Sequence, residues 1–330
     1  MKKTLRALAI ATASIMTTGA FAATANMENP LYAPKAGQFF SKTGAGLMYK
    51  IADDTDAMKL KHHDGDVEFP VWRFTEDFGY GITDRLNTYL SIGYTKNGDI
   101  DRKGMHRGRL GLAYRIFDDT DAVVWDMYTE AYLSGVSPMK GSVKLAPGNK
   151  IDFTYDNFSN GRWGAVFGTK VGKTWNKFTA SLFAEYLQTF GNHNNKIDTS
   201  ALPAMMTFPD EIAVDLKSTN EIVAGLNAFY QANETWSFGG GFKFIEHSDN
   251  GVKSIHTKVN TPAKAVLLKN AKDMDDGWNE YALHAVVANQ VTDYLQVSLF
   301  GEYTFDTSHK QSQNGTDVKA EMGVRANVRF

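Results

Sequence analysis

Ala320, Met322, Val324, Ala326, Val328 and Phe330 alternate with Lys319, Glu321, Gly323, Arg325, Asn327 and Arg329 along the end of the chain. Side chains of a strand point to opposite faces in turn, so this spacing predicts a strand with one apolar and one polar face. Leu295, Val297, Leu299, Tyr303 and Phe305 stand against Gln296, Ser298, Glu302 and Thr304 in the same way, and Trp236, Phe238, Phe242 and Phe244 against Ser237, Gly239, Gly241 and Lys243. The two-residue period recurs over Leu86 to Thr95, Leu110 to Ile116, Val123 to Leu133, Trp163 to Val171, Phe178 to Tyr186, Ile222 to Tyr230 and Tyr281 to Val287. With Gly37 to Ile51 and Val71 to Ile82, about twelve strands are predicted.

The connections between them are of two kinds. Tight turns are expected at Thr83-Asp84, Asp118-Asp119-Thr120, Asn176-Lys177, Asn233-Glu234 and Thr292-Asp293, where turn-forming residues separate alternating segments. Between these turns the chain makes long excursions, at about Ala52 to Asp66, Asn97 to Met105, Ser137 to Gly161, Gly191 to Ser218, Ser248 to Asp276 and Asp306 to Gly315. Thr83, Asp84, Leu86, Leu90, Tyr94 and Thr95 match Thr292, Asp293, Leu295, Leu299, Tyr303 and Thr304 at identical spacing, which reads as two hairpins under one constraint. Two-faced strands joined alternately by short and long connections fit an all-β fold, a transmembrane antiparallel up-and-down β-barrel of about 12 strands. Val143, Leu145, Ile151, Phe153 and Tyr155 alternate about Gly148-Asn149, and this hairpin is expected to project outside the membrane; its insertion as membrane strands would give 14. A 16-stranded barrel also fits the length, but needs strands in segments with little periodicity.

Composition sharpens the reading. Lys2, Lys3 and Arg6 precede an apolar run from Ala7 to Met16 and a small-residue end at Ala20-Phe21-Ala22, so residues 1–22 are expected to be a cleaved secretory signal peptide. Its removal moves the formal net charge from −2 to about −5, and a mildly acidic chain argues against a nucleic-acid partner. Residues 23–36, with Asn29-Pro30-Leu31-Tyr32-Ala33-Pro34, are expected to form a periplasmic lead-in, and residues 37–330 a single barrel. There is no cysteine, which rules out disulfides and thiolate metal sites. Mean hydropathy is −0.34; a barrel reconciles that value with membrane residence because alternate side chains face a watery lumen.

The polar faces carry the candidate chemistry. The lumen is expected to receive Arg73, Arg107, Arg109, Arg115, Arg162, Lys170, Lys243, Arg325 and Arg329, opposed by Asp126, Glu130, Glu185, Glu302 and Glu321, with Lys42 and Asp77 among further charges. Arg109 and Arg115 lie one turn from Asp126 and Glu130, which puts opposite charges on neighbouring strands. Separated ladders would set a transverse field across a pore; paired ones would fill a narrow barrel. The slight basic excess points to a weak anion preference. Inward glycines such as Gly46, Gly111, Gly168, Gly225 and Gly241 either leave room or permit coiling. Apolar loop runs at Ala201 to Phe208 and Ala265 to Leu268 read as local packing or as a lid. His62, His63, Asp64 and Asp66 could activate water or bind a metal, but adjacent histidines converge poorly on one centre, so neither a catalytic nor a metal residue is assigned and no cofactor is expected.

A signal peptide, alternating short and long connections and a last strand ending on Phe330 together resemble a Gram-negative bacterial outer-membrane β-barrel, porin-like and monomeric, over the whole mature chain. The resemblance implies that Phe330, with Val328 two residues before it, forms the terminal signal read by the barrel-assembly machinery. It also implies a location in the cell outer membrane among lipid and lipopolysaccharide. The activity it implies is diffusion of small polar or charged solutes through the lumen, with an unidentified solute. Uptake of hydrophobic small molecules, a loop-displaying adhesion or structural barrel, and a rim hydrolase or protease are the alternatives. Deleting Phe330 is expected to slow membrane insertion without altering the folded lumen, as followed by the kinetics of assembly into vesicles; unchanged kinetics would remove the terminal signal.

Overall fold

The computed structural model describes residues 26–52, 71–96, 103–119, 123–134, 139–146, 149–155, 163–198, 211–248, 252–257, 278–306 and 318–330. Twelve strands form one closed antiparallel barrel: β1 (Phe39–Ala52), β2 (Val71–Gly81), β3 (Leu86–Lys96), β4 (Lys103–Asp119), β5 (Val123–Ser134), β8 (Trp163–Trp175), β9 (Phe178–Thr189), β12 (Thr219–Gln231), β13 (Trp236–His247), β15 (Trp278–Gln290), β16 (Leu295–Asp306) and β17 (Val318–Arg329). Each pairs with the next along the chain, and β17 returns to β1. Closure leaves no strand edge, which is what an extended chain needs where no water can satisfy its backbone. Phe39 and Phe330 exchange both backbone hydrogen bonds at the seam, 2.7 and 3.0 Å long, and their rings lie 6.4 Å apart. Val328, opposite Ser41 and Leu295, is buried rather than laid bare.

The remaining strands, β6 (Met139–Ala146), β7 (Asn149–Tyr155), β10 (Asn192–Asp198), β11 (Glu211–Leu216) and β14 (Val252–Thr257), form a separate sheet in the order β14-β11-β10-β7-β6. The hairpin expected about Gly148-Asn149 is thus β6 and β7, outside the barrel, and the barrel stays at twelve strands. The strands β10, β11 and β14 were not anticipated, because their pairing partners come from three different loops.

The short turns explain the internal sequence match. Thr83 Oγ1 accepts hydrogen bonds from the backbone N–H of Arg85 and Leu86 (3.2 and 2.9 Å), and Thr292 Oγ1 from those of Tyr294 and Leu295 (3.4 and 3.1 Å). Asn233 Oδ1 does the same for Thr235 and Trp236. Such side chains replace backbone acceptors in a tight turn. Asn176 takes φ 53° between β8 and β9, a left-handed conformation that asparagine tolerates better than most residues.

The outer wall is apolar, with Phe74, Leu110, Phe167, Leu182, Leu299 and Met322 all exposed. One residue breaks the pattern. Glu76 shares the outer face of β2 with Phe74 and Phe78 and, away from the strand ends, is the one charged side chain on that face among the described residues. Its two carboxylate oxygens accept from Ser41 Oγ at 2.7 Å and Thr43 Oγ1 at 2.6 Å on β1. Two hydroxyls offset only part of the cost of a carboxylate facing hydrocarbon. Glu76→Gln is expected to stabilise the barrel in a bilayer by about 1 kcal/mol, and the Ser41→Ala/Thr43→Ala pair to destabilise it by a similar amount, both read from urea unfolding in vesicles. Loss of stability in Glu76→Gln would instead show that the ionised group is favourable where it stands.

Candidate functional site

Asn26 to Ala36 lie across the short-turn end of the lumen, in contact with strands all round the ring. Asn26 Nδ2 donates to Gln231 Oε1 and Ser237 Oγ, both at 2.8 Å, while its Oδ1 accepts from Gln296 Nε2 at 2.8 Å. Asn29 Nδ2 donates to Thr179 Oγ1 at 3.1 Å. From β1 and β4, Lys42 Nζ donates to the Met27 carbonyl at 2.8 Å and Arg115 Nη2 to that of Leu31 at 2.7 Å. Met27 and Leu31 are buried, and Gly37 is tied back to Gly81 by a 2.8 Å backbone bond. Of the segment 23–36, expected as a periplasmic lead-in, the part from Asn26 onward is a strap inside the barrel mouth, residues 23–25 lying outside the described residues. Its local shape follows from its composition. Asn26 and Asn29 each accept a backbone N–H two residues on, from Glu28 (3.0 Å) and Leu31 (2.9 Å), and Pro30 and Pro34 prevent regular pairing.

Glu28 pins the strap. Its carboxylate accepts from Arg325 Nη1 at 3.0 and 3.1 Å, from Ser298 Oγ at 2.9 Å and from Asn327 Nδ2 at 2.8 Å. Burial alone would raise this carboxyl, but the charges of Lys42 and Arg325 and the hydrogen bonds from Asn327 and Ser298 outweigh it and hold the group down at about 2. Sequence reading missed Glu28 because it sits in no alternating segment. Its one signal was that it is the only charge between Asn26 and Pro34.

The predicted lumenal charges face inward and are paired. Arg73 Nη1 meets Glu321 at 2.8 Å, reaching across β1; Lys243 Nζ meets Glu302 at 2.8 Å, reaching across β15. Arg115 and Asp126 are register partners joined at 2.8 Å, with Lys170 Nζ 3.4 Å from the same carboxylate. Arg109 Nη1 lies 3.1 Å from Glu130 and 3.6 Å from Glu185. Arg325 goes to Glu28, and Arg329 donates to the Asp293 carbonyl at 2.7 Å. Glu302 and Glu321 stand opposite each other in register, yet each turns to its own cation. The Arg107 side chain and all of Arg162 lie outside the described residues, as do His62, His63, Asp64 and Asp66 and the runs Ala201 to Phe208 and Ala265 to Leu268.

Two tyrosines also missed in the sequence complete this wall. Tyr89 Oη donates to Glu130 at 2.5 Å and Tyr128 Oη to Glu185 at 2.7 Å. Each ring crosses an intervening strand at a glycine: a Cβ on Gly111 would strike the Tyr89 ring, and one on Gly168 the Tyr128 ring. Of the two roles anticipated for the inward glycines, room for a neighbour applies at both positions.

Cavities lie around the strap among the described residues. A vestibule of about 1290 Å³ opens at the short-turn end beside Asn26, Tyr32 and Arg115. One of about 470 Å³ lies against Glu28, Lys243, His284 and Arg325, and one of about 410 Å³ against Tyr32, Lys42, Tyr89 and Glu130. Among the described residues, no group of three or more histidines and carboxylates is placed to hold a metal.

Closed ring, apolar outside and polar lumen define the class: an all-β barrel of the kind that crosses bacterial outer membranes. No family model matches the sequence, and no curated protein matches it. Solved structures do. The COG4313 outer-membrane channel from Pseudomonas putida F1 is similar with a TM-score of 0.53 at 11% identity, covering 94% of this chain and 100% of that one. The monoaromatic hydrocarbon channel CymD (TM-score 0.47, 10% identity, 90% of this chain and 89% of that one) and the porin NanC (0.43, 10%, 86% and 98%) are more distant. At such identities the first likeness is one of fold alone, and the other two do not bear on substrate.

Because the Glu28 carboxyl is held at about 2 against an ordinary 4.5, its contribution to strap docking is complete above pH 4.5 and is lost as the pH falls toward 2. The side-chain carboxyl resonance of Glu28 in labelled, detergent-folded protein is expected to titrate near that lower value; a midpoint near 4.5 would mean that the ion pair with Arg325 is not maintained.

Proposed function

We propose that the protein is an outer-membrane channel that passes small polar or charged solutes by diffusion, with its short turns and strap toward the periplasm. The observation that carries this reading is the lumen itself. Inward-facing arginines, lysines, carboxylates and tyrosines surround cavities of about 1290, 470 and 410 Å³, while the outer wall is apolar. Charges at membrane depth belong where they meet water or one another, and here they do both. In this reading the barrel is inserted by the assembly machinery acting on Phe330, sits as a monomer among lipid and lipopolysaccharide, and works without a cofactor.

Pairing changes the expected selectivity. The basic excess read from the sequence favoured anions, but Arg73, Arg109, Arg115, Lys170, Lys243 and Arg325 each have a carboxylate within 4 Å. Neighbouring opposite charges cancel within about a Debye length, 10 Å at 0.1 M salt, so the pore is expected to discriminate weakly. The second reading, a barrel that displays its loops, draws support from the five-stranded sheet built of loop strands β6, β7, β10, β11 and β14.

Refolded mature protein in a planar bilayer is expected to give stable unitary current steps, with a reversal potential near zero in a salt gradient. Silence from a folded barrel would favour the display reading. A strongly displaced reversal potential would show that one sign of charge dominates the path.

A further inference from the structure

The strap does not divide the lumen evenly. On one side its polar groups are bound to the wall: Asn26 to Ser237 and Gln296, and Glu28 to Ser298, Arg325 and Asn327. The wall residues Ser237, Gln296, Ser298 and Asn327 are at most 1% exposed, so at the level of Asn26 and Glu28 this side is closed by direct contact, with the 470 Å³ cavity on the far side of Glu28 from the vestibule. Round the rest of the ring the contacts are sparser: Asn29 donates to Thr179 on β9, Arg115 on β4 reaches the Leu31 carbonyl, and Lys42 on β1, beside the closed wall as the register partner of Asn327, reaches that of Met27. Tyr32 and Ala33 border both the 1290 Å³ vestibule and the 410 Å³ cavity. Pro30 and Asn227 border both the 410 and the 470 Å³ cavities, whereas the vestibule and the 470 Å³ cavity have no bordering residue in common. The three spaces therefore lie in sequence, with Tyr32 and Ala33 between the first two and Pro30 and Asn227 between the next two.

We infer that the pore is one-sided: solute passes between vestibule and mid-lumen along Tyr32 and Ala33, and Glu28 is the positioning residue that keeps the half of the mouth walled by β13, β16 and β17 shut. The inference rests on the channel reading and adds its route. Glu28 suits this role because one carboxylate satisfies a guanidinium, an amide and a hydroxyl on two adjacent strands, β16 and β17. Removing it leaves Arg325 without its charge partner, and no other strap side chain between Asn26 and Pro34 is charged to replace it. The far wall of the permitted route bears both signs, with Lys42 and Lys170 beside Asp126, Glu130 and Glu185. A small solute on that route meets donors and acceptors throughout.

The chain has no cysteine, so single thiols can report each side separately. The probe is a charged, membrane-impermeant methanethiosulfonate, applied to folded protein and followed by mass and by current. Ala33→Cys is expected to react readily and its modification to lower the unitary current, while Ser298→Cys stays inert. Adding Glu28→Ala is expected to raise the reactivity of Ser298→Cys about tenfold or more, the loss of charge-assisted hydrogen bonds being worth at least that factor, and to increase conductance. Glu28→Gln, which keeps the shape but not the charge, should shift both readings the same way by less. Retained heat-modifiable gel mobility identifies the folded variants. Equal reactivity of the two thiols in the parent, or Glu28→Ala without effect on Ser298→Cys, overturns the closed half. A conducting parent whose Ala33→Cys current ignores modification overturns the route alone, whereas a parent that carries no current overturns the channel reading and the route with it.

Discussion

A backbone that crosses hydrocarbon must find partners for all its N–H and C=O groups within the protein, and in this chain that requirement is met by closing twelve strands on themselves. The seam between β1 and β17 is the last place where the requirement could fail. It is secured by the register from Phe40 opposite Arg329 to Ala52 opposite Val318, and by the reciprocal bonds of Phe39 and Phe330. Once the ring is closed, every strand has an inside and an outside, and the two-residue period of the sequence becomes a division between lipid and lumen.

The same closure creates an interior that cannot be left as a void lined with isolated charges. Charged groups drawn into a confined space are tolerated when paired, and the ring supplies partners that are distant in the chain but adjacent or nearly so around the wall. Tyr89 and Tyr128 each lie across a glycine of the neighbouring strand to reach a carboxylate on the strand beyond it. The strap takes part in the same balance. Glu28 supplies the negative charge that Arg325 would otherwise lack, while the backbone carbonyls of Met27 and Leu31 occupy Lys42 and Arg115. Filling and function are thus linked, because the groups that stabilise the lumen also decide where solute can pass.

Two features run against the simplest barrel. Glu76 places a carboxylate on the lipid side, and only the hydroxyls of Ser41 and Thr43, brought beside it by the β1–β2 register, make that position tenable. The second is a sheet outside the ring, in which segments from three loops pair with one another, so the long connections have secondary structure of their own.

Strand positions, turns and inward charges were legible in the sequence because each depends on residues close together in the chain: alternation over a dozen positions, or a Thr hydroxyl reaching a backbone N–H two or three residues on. The placing of Arg115 and Asp126, eleven residues apart, on neighbouring strands was legible for the same reason. The strap was not. Asn26 to Pro34 carries no periodicity, and its fold is set by partners such as Arg325 and Asn327, 297 and 299 residues away from Glu28. Nor could the sequence show that Glu302 and Glu321, opposite one another in register, would turn to Lys243 and Arg73, or that β10, β11 and β14 would find each other. The sequence by itself determined which side chains face lipid and which face water, since that alternation is a property of any extended chain. Only the closed tertiary structure decided which inward charges meet and what crosses the mouth, since those contacts exist only after the last strand has returned to the first.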